Sequence, residues 1–221
     1  MDVETKDCTA LNDSELAEMA DLESEGSNFD IGFLSKEREE WVLATTVREG
    51  KKLKGYSLFT LERIGGTPSL LIGVGAVDRS AKADTALRSM MSDQYRRAVL
   101  AFPDEDVLVG LRLFSPHGYR VFSGLADIVP SNGVRATGED RAWGRRLAKR
   151  FGAENRLDDR SFILKGDGQN PSGGLDFHHE GVKLPDGVEE FFAGVEITRG
   201  DRLVAFGWAM AEDLAAGKLP H

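Results

Sequence analysis

The stretch DVLVGLRLFSPHGYRVFSGLADIVP, from Asp106 to Pro130, decides how the rest of the chain is read. Val107, Val109, Leu111 and Leu113 alternate with Leu108, Gly110, Arg112 and Phe114, so both faces are largely apolar, as in an interior strand. Ser115 suits an N-cap and Pro116 the first helical position, where its missing N–H would have had no partner anyway. A short amphipathic helix is therefore expected, with Val121, Phe122, Leu125 and Val129 near helical spacing. A strand that ends at a helix N-terminus is a frequent place for chemistry in α/β folds, because free N–H groups favour anions.

Upstream of this stretch, ATTVRE (Ala44–Glu49), LKGYSLFTLERI (Leu53–Ile64) and SLLIGVGAV (Ser69–Val77) are three β-rich runs. Gly50 and Gly65-Gly66-Thr67-Pro68 mark the turns between them. Gly73 and Gly75 interrupt the third run, which suggests a bulge or the close approach of another backbone or a ligand. A long helix then follows over Lys82–Phe102, with Ala83, Ala86, Leu87, Met90, Met91, Tyr95, Ala98, Val99 and Phe102 as its buried stripe. Two short helices are expected earlier, at Ser14–Leu22 and Ser35–Leu43. Residues 1–30 otherwise form an acidic, partly mobile arm, centred on the run from Glu23 to Asn28.

Downstream, Thr137 and Asp140 approximate a capping box for a helix over Glu139–Phe151, and Gly152 stands at its C-terminal cap. A short strand is expected at Ser161–Lys165, a long loop at Gly166–Gly174 and a helical turn at Val188–Ala193. A hairpin about Arg199-Gly200-Asp201 within Glu196–Trp208 and a last helix over Glu212–Ala216 complete the chain.

The 221 residues suffice for one sizeable core. A net charge of -9 argues against general binding to nucleic acid or to anionic membranes. The lone cysteine, Cys8, excludes an intramolecular disulfide. No apolar run approaches the ~20 residues needed to span a bilayer, and no leader pattern opens the chain; a cytoplasmic location is the expectation.

The order of two short helices, a strand meander, a long helix, a buried strand and a helix opened by Ser-Pro resembles the GNAT superfamily of acyl-CoA-dependent N-acyltransferases. The resemblance covers roughly residues 14–130 and leaves 131–221 as a C-terminal extension packed on the core. It is carried best by FSPHGYRVF, Phe114–Phe122. It implies an α/β (α+β) fold, a mixed central sheet flanked by helices. It also implies acetyl-CoA or another acyl-CoA as donor, no metal, and a small-molecule or protein amine as acceptor that attacks the thioester directly.

On this resemblance Tyr119, beside Ser115, would protonate the leaving thiolate, and main-chain N–H groups near Gly75, Ala76 and Val77 would hold the oxyanion. Arg79, Ser80 and Lys82 would contact the donor phosphates. The chain departs from the family there, because Val77-Asp78-Arg79-Ser80-Ala81-Lys82-Ala83-Asp84 has no glycine and carries two aspartates where an anion should sit. That departure supports the alternative, a non-catalytic or repurposed GNAT-like binding module that has lost conventional CoA binding. An enzyme of unrelated chemistry on the same scaffold is a third option, and a homodimer is left open.

Other residues carry two readings each. Arg112 needs a carboxylate or a ligand anion if buried, and is simply solvated if the sheet splays. Tyr119 could pack its ring against Phe122 or Phe114 instead of donating a proton. Arg145, Arg146, Lys149 and Arg150 fit a helix C-terminus, although a basic patch can also bind phosphate or an acidic partner. His117 could act as a base. His178-His179-Glu180 invites a metal reading, but no cysteine or acidic cluster at ligand spacing supports the adjacent histidines, so a surface pair is expected.

Overall fold

All seven residues of Val107–Leu113 are buried, so the apolar alternation of this stretch does mark an interior strand. Around it the computed structural model of the chain describes residues 1–22, 27, 29–168 and 172–220. The chain opens with β1 (Asp2–Asp7), α1 (Asp13–Ala20) and α2 (Ile31–Glu40). Strands β2 (Leu43–Glu49), β3 (Lys52–Ile64) and β4 (Thr67–Val77) follow, then α3 (Ala83–Ala101) and β5 (Val107–Leu113). A 3₁₀ helix at Pro116–Phe122 leads to β6 (Ala126–Val129) and α4 (Gly138–Arg150). The two-residue strands β7 (Leu157–Asp158) and β8 (Ile163–Leu164) precede β9 (Gly174–Asp176), β10 (Arg202–Ala209) and α5 (Ala211–Ala215).

The fold is mixed α/β, of the α+β kind. The strands form one sheet in the order β1-β2-β3-β4-β9-β5-β10-β8-β7, with β6 also on β10. β1 to β4 are antiparallel, whereas β4, β9 and β5 are mutually parallel. Residues 131–221 supply β7, β8, β9 and β10 to the sheet, so this part of the chain completes the core. Among the described residues no helix is long and apolar enough to cross a membrane.

Local chemistry accounts for the starts of α1, α2 and α4. Thr137 and Asp140 form the expected capping box of α4, and Asn12 with Glu15 forms another at α1. The stripe on α3 is buried as its spacing predicts except at Val99, which is half-buried, and Gln94 joins it, with its amide donating to Ser57 Oγ at 2.5 Å.

Several expectations are corrected. The acidic start of the chain holds β1, which pairs with β2 from Asp2 opposite Arg48 to Asp7 opposite Leu43. The second helix begins at Ile31, because Asp30 caps it through the Phe33 N–H at 2.7 Å, and Leu43 already belongs to β2. The element after Ser115-Pro116 is a seven-residue 3₁₀ helix. Gly124, at φ 85°, turns the chain out of it, and Val129 joins β6 instead of a helix. Arg199–Asp201 is no hairpin tip. The buried Asp201 carboxylate accepts from Gly166 N–H at 2.8 Å and Lys165 Nζ at 2.8 Å, and β10 pairs with β5. Of the expected mobile run, residues 23–26 and 28 lie outside the described residues, as do 169–171 of the expected long loop.

Candidate functional site: a groove filled by the chain itself

The geometry of the candidate site follows from one branching point. β4 and β5 pair directly from Ser69 opposite Leu108 to Ile72 opposite Leu111. Beyond that they part, and β9 enters between them, with Val74 opposite Gly174, Gly75 opposite Leu175 and Ala76 opposite Asp176. On the other flank Leu113 faces Leu175, and Phe114 N–H donates to Leu175 O at 3.4 Å. Leu175 and Phe177 are fully buried, so the insert carries its own share of the core.

Two arginines hold the entry of this segment. Arg112 on β5 is 8% exposed; its Nη2 donates to Gly73 O at 2.9 Å and its guanidinium lies 4.6 Å from the Phe151 ring centroid. Arg202 on β10 is 1% exposed, donates to Ser172 O at 3.1 Å and Asp201 O at 2.6 Å, and stacks 3.5 Å from the Phe114 ring centroid. Burial lowers both guanidinium pKa values, to about 10 for Arg112, where Glu37 partly offsets it, and to about 9 for Arg202. Both stay charged at neutral pH, balanced by carbonyls, ring faces and nearby carboxylates. Gly173 is required here, since a Cβ on it would meet Arg112 Nη2 at 2.2 Å and Gly73 O at 2.9 Å.

The far end of the segment is tied down by the residues that the sequence singled out. Ser115 Oγ donates to Phe177 O at 3.0 Å. Arg79 pairs with the buried Asp176 at 3.0 Å, and burial still raises that carboxyl's pKa. His179 N–H donates to His117 Nδ1 at 2.9 Å, and the His117 and His178 rings stack at 3.9 Å. Burial, followed by the charge of Arg79, lowers the His117 pKa. Its Nδ1 accepts that bond, so the neutral ring carries its proton on Nε2 and leaves no free ring nitrogen for the base role that the sequence left open.

The other expected site residues are also committed elsewhere. Gly75 and Ala76 lie between β3 and β9, so the main chain assigned to an oxyanion already has strand partners on both sides. Val77 pairs with Gly55. Ser80 Oγ donates to Asp78 Oδ1 at 2.8 Å, and Asp78 forms a buried pair with Lys54 at 2.7 Å, which explains the acidic character of this turn. Lys82 pairs with Glu49, and Asp84 forms a two-pronged pair with Arg120.

Tyr119 is 4% exposed, donates to Pro130 O at 3.1 Å and packs against Phe122, Phe191 and Phe192. Burial raises its pKa, which makes it a poorer proton donor than a free phenol. The packing reading of Tyr119 therefore describes its surroundings. Arg112 is likewise a buried arginine, not one solvated at a splayed edge.

The basic helix is largely spoken for. Arg145 pairs with Asp159, Arg150 pairs with Glu62 at 2.6 Å, and Arg146 lies 4.7 Å from the Trp143 ring centroid. Lys149 and Arg150 stand in the last turn of α4, where cations suit the dipole. Among the described residues no group of three or more His, Cys, Asp or Glu is arranged to hold a metal. The space left beside the segment's end is a cleft of about 510 Å³ lined by Arg79, Ser80, Ala81, His178, His179 and Glu180.

Sequence reasoning missed two parts of this arrangement. β9 has only three residues, and its alternation of Gly174, Leu175, Asp176 and Phe177 sits at the end of a Gly, Asn, Pro and Ser run that reads as loop. Arg202 opens β10 directly after the polar Arg199-Gly200-Asp201 turn, so nothing local in the sequence marks it as buried.

No protein-family model matches the chain, and no curated protein does. Among solved structures it is similar to TTHA1254 from Thermus thermophilus, solved both as the wild type and as a single-substitution mutant. Each shows 15% identity and a TM-score of 0.35 over 49% of this chain and 75% of that one.

Proposed function

We propose that this chain is a GNAT-like module repurposed for binding, which has given up conventional acyl-CoA binding and is not an N-acyltransferase. One observation carries the reading. The gap between β4 and β5, which adjoins Gly75, Ala76, Arg79 and Ser115 that the resemblance assigns to the donor and the reaction, is occupied by the chain's own residues 172–179. A donor would have to break the parallel pairing at Gly75 and Ala76, the Arg79–Asp176 ion pair and the Ser115 contact before it could bind. Tyr119, turned to Pro130 O, supports the same reading. A single buried free thiol, Cys8, whose pKa burial raises to about 12, is in keeping with a cytoplasmic setting.

Thermal unfolding with and without millimolar acetyl-CoA tests the proposal. A ligand at a hundredfold excess over its Kd adds about 2.7 kcal/mol to the folded state. For a chain of this size that is a rise of roughly 5 to 10 °C in Tm. The expected result is no rise with acetyl-CoA or with longer acyl-CoAs. A rise of that size would restore the transferase reading.

A further inference from the structure

A second groove lies away from the filled one, between β6 and the start of α4 and above β10, and encloses about 730 Å³. Its floor is aromatic: Trp143 and Trp208 meet edge to face at 6.0 Å between centroids, beside the buried Phe206. Val134 stands beside it 68% exposed, at the turn closed by the Ser131–Val134 bridge. An exposed valine beside indole rings is a surface that water covers at a cost.

The charged residues that line this groove are all acidic. Asp127 comes from the β6 wall, and Glu139 and Asp140 from the α4 wall. Asp140 is engaged in the capping box with Thr137, which leaves Asp127 and Glu139 as the exposed rim charges. The nearby cations do not line the groove. Arg141 donates to Ala136 O at 3.2 Å, and Arg146 lies over Trp143. A segment with repeated positive charges complements acidic residues on both walls.

β6 itself is a poor template for a further strand. It has four residues, its pairing with β10 is irregular between Phe206 and Trp208, and Asp127 sits at φ 45°. Recognition in this groove therefore runs through side chains.

We propose that the groove docks a basic, aliphatic segment of a partner protein. Its apolar side chains cover Val134 and the half-buried Trp208, and its lysines or arginines face Asp127 and Glu139. The proposal does not depend on the reading of the filled groove.

The test uses the full chain and a terminally blocked synthetic peptide of alternating lysine and leucine, with a glutamate–leucine peptide as control. Trp208, half-buried at the groove, reports through its fluorescence, while Trp41 and Trp143, 5% and 6% exposed, provide the background. The lysine–leucine peptide should change the emission saturably. The Asp127→Asn, Glu139→Gln double variant should weaken that binding about tenfold. Asparagine tolerates the positive φ at 127, so the variant keeps the fold. Val134→Ser, at an exposed position, should weaken binding as well.

A control variant with the same charge change on the far edge strand, Asp2→Asn with Glu4→Gln, should bind like the native chain. Equal binding of the glutamate–leucine peptide would overturn the proposal, as would undiminished binding by the rim variant or equal weakening by the β1 control. A dimer of this chain that Val134→Ser separates would identify the occupant as a second copy and overturn it too.

Discussion

The two halves of the β4–β5 pair are built on different physics. From Ser69–Ile72 against Leu108–Leu111 the strands touch directly, and Leu70, Leu71, Ile72, Leu108, Val109 and Leu111 have no exposure at all. Beyond Ile72 the same strands are held apart by a three-residue insert. Its setting is polar: two buried arginines, a buried aspartate and a histidine acceptor. The first half is held by area removed from water, which is non-directional. The second depends on directed bonds to buried groups, each costly if left unmade. A gap between two parallel strands can thus be closed by a short piece of the same chain, with the buried charges there given partners.

The sharpest way to break this contrast is at Leu111. Leu111→Ala should cost about 3 kcal/mol through lost burial and the cavity left behind. Unfolding monitored by denaturant should remain a single transition that comes earlier, because the core is shared by the whole sheet. A loss below about 1 kcal/mol would mean that the direct half is less tightly packed than its burial indicates.

Gly173→Val should cost about 2 kcal/mol, because its Cβ would meet Arg112 Nη2 at 2.2 Å. Its effect should be local. Amide exchange should speed up over residues 172–179 while Leu108–Leu111 keep their protection. Equal acceleration in both halves would contradict the separation between them.

The smallest expected effect is a pH dependence at the far end of the insert. The His117 pKa is lowered from 6.5 in the folded chain. Its contribution to stability is therefore present above about 6.5 and is lost as pH falls through the lower folded value. Protonation at Nδ1 removes the acceptor of His179 N–H, beside Arg79, the stacked His178 ring and Glu180. His117→Asn keeps an acceptor that does not titrate. Its Tm should fall less than that of the native chain between neutral pH and about pH 5. Identical pH profiles would remove His117 from this role.

The sequence makes the two halves unequally legible. Val107–Leu113 and Ser69–Val77 announce themselves by apolar runs, because a strand buried on both faces has little choice of residue. The α3 stripe and the Thr137–Asp140 cap are readable for the same reason: the physics that forms them is local. Residues 172–179 are not readable in this way. Their strand character comes from neighbours about 100 residues earlier in the chain, and Gly173 and Gly174 carry a loop signature because the backbone must pass close to Arg112.

Arg79, Ser115, His117 and Arg112, which the sequence singles out, do stand together around residues 172–179. What composition and spacing do not reveal is that each finds its partner within the chain. The run after Val77, without glycine, forms a turn whose Asp78 pairs with the buried Lys54.

The most direct measurement is an NMR contact between the Leu175 methyl groups and the α-protons of Gly75, recorded with and without millimolar acetyl-CoA. These groups adjoin: a Cβ built on Gly75 would lie 3.0 Å from a Leu175 methyl carbon. The contact should be present and should not change when acetyl-CoA is added. Its loss on addition of acetyl-CoA, with new contacts from β4 to the ligand, would contradict a groove permanently filled by the chain itself.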